Sequence, residues 1–231
     1  MTNPSQLRML QRNLAMSVRF NFVLFSLDPI RLIEALSHRG FEISPPPRVE
    51  LPARARLVAT GEIARKGDCH VSLDHEKQTL TVKGPSPGAT MKTLDELEQT
   101  IADELQIKIQ EHAKFFELIA RYECDSDSSP LDCVGRALSQ NAVVKLYGDI
   151  VNENLSLFSL RLVPKSRVPD TEDWLDITLE PSVIRPTKTY VISVVYRNVQ
   201  KARVWSFADT LESNLTRLVE LVEGAQEKGA E

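Results

Sequence analysis

Histidine and cysteine are scarce in this chain, with four of the first and three of the second among 231 residues. Four imidazoles leave little material for general acid–base chemistry. Three thiols, Cys69, Cys124 and Cys133, form an odd and sparse set that suits free cysteines in a reducing compartment better than a disulfide framework. Long apolar runs are also missing. No stretch approaches the roughly 18 uninterrupted apolar residues that a membrane-crossing helix needs. The N-terminal MTNPSQLRMLQRNLAM lacks the apolar centre of a secretory signal, because Arg8 and Arg12 interrupt Leu7, Met9, Leu10 and Leu14. The expected location is therefore the cytoplasm. Nor is there a basic excess. Lys and Arg number 28 against 32 Asp and Glu, a formal net charge of −4, so no global field draws the chain to nucleic acid or anionic lipid.

What is present is an ordinary globular balance, 42% hydrophobic and 26% charged, enough to build a sizeable core. The order of the patterns is the most informative feature. Ser17 to Phe25 alternates, with Val18, Phe20, Phe22 and Leu24 on one side and Ser17, Arg19 and Asn21 on the other, the period of a half-buried strand. Asp28 and Pro29 then supply an N-cap and an N1 proline for a helix reaching Ser37, and Gly40 stops it. The proline-rich stretch from Ser44 to Pro52 reads as an extended connector. Strands are predicted over Arg54 to Ala64, His70 to Leu73 and Thr79 to Val82, with a turn at His75 to Gln78. A long helix follows over Met91 to Gln110, with Thr93 and Glu96 at capping-box spacing and Leu94, Leu97, Ile101 and Leu105 on one face.

The order then restarts. Lys114 to Tyr122 alternates Phe116, Leu118, Ala120 and Tyr122 against Glu117 and Arg121, and Pro130 opens a helix to Ser139. Strands are predicted over Val143 to Ile150, Leu155 to Val163, Trp174 to Glu180 and Thr189 to Tyr196, before a closing helix over Phe207 to Glu223. The triplet Ala35-Leu36-Ser37 returns as Ala137-Leu138-Ser139 at the end of the second short helix. Internal repetition of this kind constrains architecture. The expected class is α+β, built as two tandem β-α-β(3-4)-α repeats whose antiparallel sheets carry their helices on one face. The expected segments are an N-terminal piece over residues 1–16, a first unit over 17–111, a second over 112–224 and a tail over 225–231. Two such units in tandem resemble, in topology, the saddle of the TATA-binding protein and its relatives, a helix-grip arrangement. That family wedges paired phenylalanines into the minor groove. No matching pair of motifs occurs in these strands, so the resemblance implies a shape and carries over no functional residue.

Few constellations point to chemistry. Asp68-Cys69-His70 with Asp74-His75 gathers metal-ligand types, but strand alternation sends Cys69 to the face opposite Asp68 and His70. Cys124 and Cys133 flank a polar loop without a paired histidine. Asp125 and Asp127 open like a calcium loop, yet the turn glycine is absent and Arg136 stands where the closing glutamate belongs. Gly84-Pro-Ser-Pro-Gly88 has the strand-to-helix context of a phosphate loop, but its prolines remove N–H donors and it reads as a hinge. The expectation is thus no catalytic, metal or cofactor site. The favoured function is a non-catalytic protein-binding or scaffolding module using outward aromatics Phe115, Phe158 and Trp174, with homodimerisation through a sheet edge as a further option. One alternative is nucleic-acid binding through Arg54, Arg56, Arg197, Lys201 and Arg203, which requires these residues, with Arg65 and Lys66, to gather on one concave surface. Another is a small-ligand pocket lined by Phe20, Phe22, Leu97 and Ile101.

Overall fold

A computed structural model describes residues 7–21, 29–44, 60–137 and 142–224. Its elements run β1 (Arg8–Phe20), α1 (Pro29–His38), β2 (Glu42–Ile43), β3 (Thr60–Lys66), β4 (Cys69–Asp74), β5 (Thr79–Lys83), α2 (Pro87–Leu105), α3 (Ile109–His112), β6 (Ala113–Asp125), α4 (Pro130–Ala137), α5 (Ala142–Val151), β7 (Leu160–Leu162), β8 (Trp174–Pro181), β9 (Thr189–Asn198) and α6 (Lys201–Gly224). The class is α+β. All the described strands belong to one nine-stranded antiparallel sheet in the order β2-β3-β4-β5-β1-β6-β9-β8-β7, rather than to a separate sheet for each half.

The centre of that sheet is the pairing of β1 with β6, from Arg8 opposite Asp125 to Phe20 opposite Ala113. β1 therefore begins well upstream of Ser17, inside the segment expected to precede the fold. A register shift between Gln11 and Asn13 places a bulge at Arg12. The bulge reverses which side chains face inward, so simple alternation is readable only after it. Beyond it Leu14, Met16, Val18 and Phe20 face the helices and are buried, as are Phe116, Leu118, Ala120, Tyr122 and Cys124 of β6.

Two long helices cover this face. Leu94, Leu97 and Ile101 of α2 pack over β1, β4 and β5, and Val204, Leu211, Leu215 and Val219 of α6 over β6 and β9, in one continuous core. Helix α1 leans on α2, and α4 on α6 and β8. The start of α2 differs from the expected capping box. Ser86 is the N-cap, its hydroxyl accepting from Ala89 N at 3.3 Å, with Pro87 just inside the helix. Thr93 lies within the helix and is buried. The helix ends at Leu105 because Gln106 takes a left-handed conformation (φ 59°). The segment from Gly84 to Gly88 is packed in place rather than serving as a loose hinge. Gly84 N donates to Leu14 O at 3.1 Å and Pro85 O accepts from Gln11 Nε2 at 2.8 Å. A Cβ on Gly84 would stand 2.4 Å from Thr90 Oγ1, so this close approach requires glycine.

The second half departs most from its sequence reading. Residues expected as a strand from Val143 form the helix α5, and the strand expected over Leu155 to Val163 shortens to β7. Val143, Leu146 and Ile150 recur at helical spacing, but the β-branched composition of the run imitates a strand. The helix leaves Leu146 and Ile150 64% and 76% exposed, so no core contact announced it. Helix α6 begins at Lys201, upstream of Phe207, after Asn198 Oδ1 accepts from Gln200 N at 2.9 Å.

Candidate functional site

The face of the sheet opposite α2 and α6 holds the candidate site. Cross-strand register arranges its side chains in rungs. One rung runs Glu62, Ser72, Thr81, Ser17, Glu117, Arg197 and Trp174 from β3 to β8. The next runs Asp74, Thr79, Arg19 and Phe115. Small side chains in the middle of the first rung, with Ala15 beside Ser17, leave a depression, and longer ones on the second stand around it. The result is a hollow of about 510 Å³ floored by Ala15, Ser17, Ser72 and Thr81 and bounded by Arg19, Asp74, Lys77, Phe115, Glu117 and Arg197.

Charge around the hollow is uneven. Glu117 accepts from Arg197 Nε, and Asp74 pairs with Lys77 at 3.5 Å while also accepting from Lys77 N at 2.9 Å. The Arg19 side chain has no hydrogen-bond or ion-pair partner among the described residues. At the β3 side, Glu62 gathers Arg65 Nε at 2.5 Å, the Ser44 hydroxyl at 2.7 Å and His70 Nδ1 at 2.8 Å. These donors, Arg65 first and then Ser44, hold the Glu62 carboxyl down at about 2.

Phe115 and Trp174 both lie on this face, yet they are only 8% and 5% exposed. The Arg197 guanidinium sits 5.2 Å from the Phe115 ring centroid and donates through Nη1 to Pro169 O at 2.8 Å, so the connection before β8 closes over this corner. Neither ring offers the free aromatic surface expected of it. Phe158 is 42% exposed, in the segment leading into the edge strand β7 rather than on a strand.

The five basic residues considered for nucleic acid do not form a group. Arg54 and Arg56 lie outside the described residues. Arg197 is on the helix-free face and already paired. Lys201 is on the helix side, where Nζ contacts Asp95 at 2.6 Å and Glu98 at 2.5 Å and lies 4.9 Å from the Trp205 centroid. Arg203 is exposed on α6. Lys66 is likewise on the helix side, 2.8 Å from Glu96. The sites divide between opposite faces because an odd step along a strand, or half a turn of a helix, redirects a side chain. For the small-ligand reading, Phe20, Leu97 and Ile101 are members of the packed core, and Phe22 lies outside the described residues.

The thiols are poor nucleophiles where they stand. Cys69, Cys124 and Cys133 are buried and outside any disulfide, and burial, followed by nearby carboxylates, pushes the Cys124 thiol up to about 11. Among the described residues no group of three His, Cys, Asp or Glu side chains can hold a metal ion. His70 faces Glu62, while Cys69 points into the core. No helix of the described residues is long and apolar enough to cross a membrane.

Neither a protein-family model nor a curated protein matches the chain. Sequence reasoning missed Arg19 as a site residue, although alternation had placed it on the polar side of its strand. The missing signal was register: only pairing with β5 and β6 reveals that Thr79 and Phe115 are its neighbours.

Proposed function

We propose that the chain is a non-catalytic protein-binding module that holds its partner on the helix-free face of the sheet. One observation carries this reading. Across β4, β5, β1 and β6 that face is left open around a hollow with a hydroxyl-rich floor and rim charges of both signs. Such a lining matches the mixed donors and acceptors of a polypeptide better than a purely apolar ligand or a continuous polyanion. Asp74 and Glu117, paired with Lys77 and Arg197, interrupt the continuous positive track that a phosphate backbone crossing the same hollow would need. The mirrored strand order supports a duplicated architecture as its frame. β1 neighbours β5, then β4 and β3, while β6 neighbours β9, then β8 and β7. We read this as two helix-grip-like units joined through their first strands, similar to the TATA-binding-protein saddle in shape and without its minor-groove wedges.

The test compares faces within the native host. A photo-crosslinking residue is placed at Ile119, on the open face, or at Leu221, exposed on α6. A discrete protein adduct at Ile119 that disappears when Thr81→Trp fills the hollow is the expected result. Adducts formed equally from Leu221, adducts insensitive to Thr81→Trp, or transfer to nucleic acid alone would overturn the reading.

A further inference from the structure

Unpaired charge distinguishes the middle of the helix-free face from its flanks. Toward the edges, the strand cations of this face are matched by carboxylates. Arg65 on β3 pairs with Glu62 at 2.5 Å and Arg161 on β7 with Asp176 at 2.6 Å, and at the bulge of the central β1 Arg12 is likewise engaged, by Glu123 at 2.8 Å. On the three central strands the balance changes. Lys83 on β5, Arg19 on β1 and Arg121 on β6 share this face, and none of their side chains has an ion-pair or hydrogen-bond partner among the described residues. Lys83 and Arg121 are exposed, and Arg19 is half-buried at the hollow. The nearby carboxylates Asp74 and Glu117 are already engaged by Lys77 and Arg197. In a chain of net charge −4 this concentration of free cations is local.

We infer that the helix-free face takes an extended acidic segment of a partner protein, with separate carboxylates pairing with Arg19, Lys83 and Arg121. The inference rests on the reading of this face as protein-binding and names the chemistry of the partner. Charge complementarity selects the occupant. The register staggers the cations: Arg19 lies opposite Thr79 and Phe115, Lys83 opposite Ala15, and Arg121 opposite Asn13. Spaced single cations separated by engaged carboxylates favour spaced side-chain carboxylates over the unbroken charge of a nucleic acid strand. Hydroxyls of Ser17, Thr79 and Thr81 along the same path can donate to the segment's backbone carbonyls. Guanidiniums such as Arg19 and Arg121 also suit bidentate carboxylate recognition.

The experiment titrates isotope-labelled full-length protein with an acetylated octaglutamate amide, its octaglutamine counterpart and an octathymidylate, following backbone amides by NMR. The expected result is saturable shifts confined to β5, β1 and β6 with octaglutamate and little with octaglutamine. The triple variant Arg19→Gln, Lys83→Gln, Arg121→Gln should bind octaglutamate roughly tenfold more weakly, through the loss of three exposed ion pairs. All three substitutions are on the surface, and a retained amide spectrum shows that the variant is folded. Equal shifts with octaglutamine, shifts on the helix side, unchanged affinity in the triple variant, or tighter binding of octathymidylate would each overturn the inference. Failure here with Ile119 adducts still lost in Thr81→Trp rejects only the acidic partner. Failure of both rejects the face.

Discussion

Arg197 joins three parts of the molecule by pairing with Glu117 across the β6–β9 ladder. The same guanidinium covers Phe115 and holds Pro169 O at 2.8 Å. It is the reason an aromatic ring on the helix-free face is only 8% exposed. Replacing it with alanine leaves Glu117, 13% exposed, without its cation and strips the cover from Phe115. The expected loss is about 1–3 kcal/mol in urea unfolding, from a desolvated charge left unmatched. Glu117→Gln should cost less, because the amide still accepts a hydrogen bond. Equal stability of Arg197→Ala and wild type would mean that the pair contributes nothing.

Lys201 fastens α6 to α2 through Asp95 and Glu98. Burial raises the Glu98 carboxyl above its ordinary 4.5, outweighing the opposing pull of Lys201. Between 4.5 and that raised value the folded state holds more protons than the unfolded one. Stability therefore falls as pH rises through this window. Glu98→Gln should flatten that decline in thermal melts recorded from pH 4 upward. Lys201→Met, which leaves two carboxylates facing each other, should cost about 1–3 kcal/mol and steepen the decline. A Glu98→Gln profile parallel to wild type would contradict the assignment.

Glu62 carries the opposite sign. Its folded value of about 2 lies below the ordinary 4.5, so its contribution is fully present above 4.5 and is lost as pH falls toward 2. Acid melts of Glu62→Gln should lose part of the wild-type slope in that interval while matching its shape above it. The carboxylate is partly exposed and its arginine partner more so, so the change is modest. His70→Ala and Ser44→Ala should each remove a fraction of the same slope. A variant slope as steep as wild type would exclude Glu62 as its source.

Much of this fold was legible where alternation met burial on one side only. Val18 and Phe20, or Leu118 and Ala120, repeat every second residue because one face of their strands meets α2 and α6. Legibility failed where a local pattern was shifted or imitated. The bulge at Arg12 hid the first part of β1, and β-branched composition disguised α5 as a strand. The candidate site was the least visible part. Phe115 and Trp174 were placed on the correct face, but their covering by Arg197 and by the connection containing Pro169 depends on contacts distant in sequence. Arg19 became notable only through the absence of a partner, and no pattern in a strand encodes an absence.

The β1–β6 seam makes a definite demand on the two halves. Pairing runs the full length of both strands, and Val18 meets Phe116 and Met16 meets Leu118 across it, all facing the helices. Cutting the chain at the seam would expose two long edge strands with unpaired backbone groups beside apolar side chains, a template for association. Residues 7–111 and 112–224 expressed separately should therefore aggregate or self-associate on size-exclusion chromatography. Mixed during refolding, they should recover one soluble complex containing one copy of each. The central ladder would then be a condition of folding rather than a contact between finished units. A monomeric half with a dispersed amide spectrum would show instead that each half closes its own core, with the seam added afterwards.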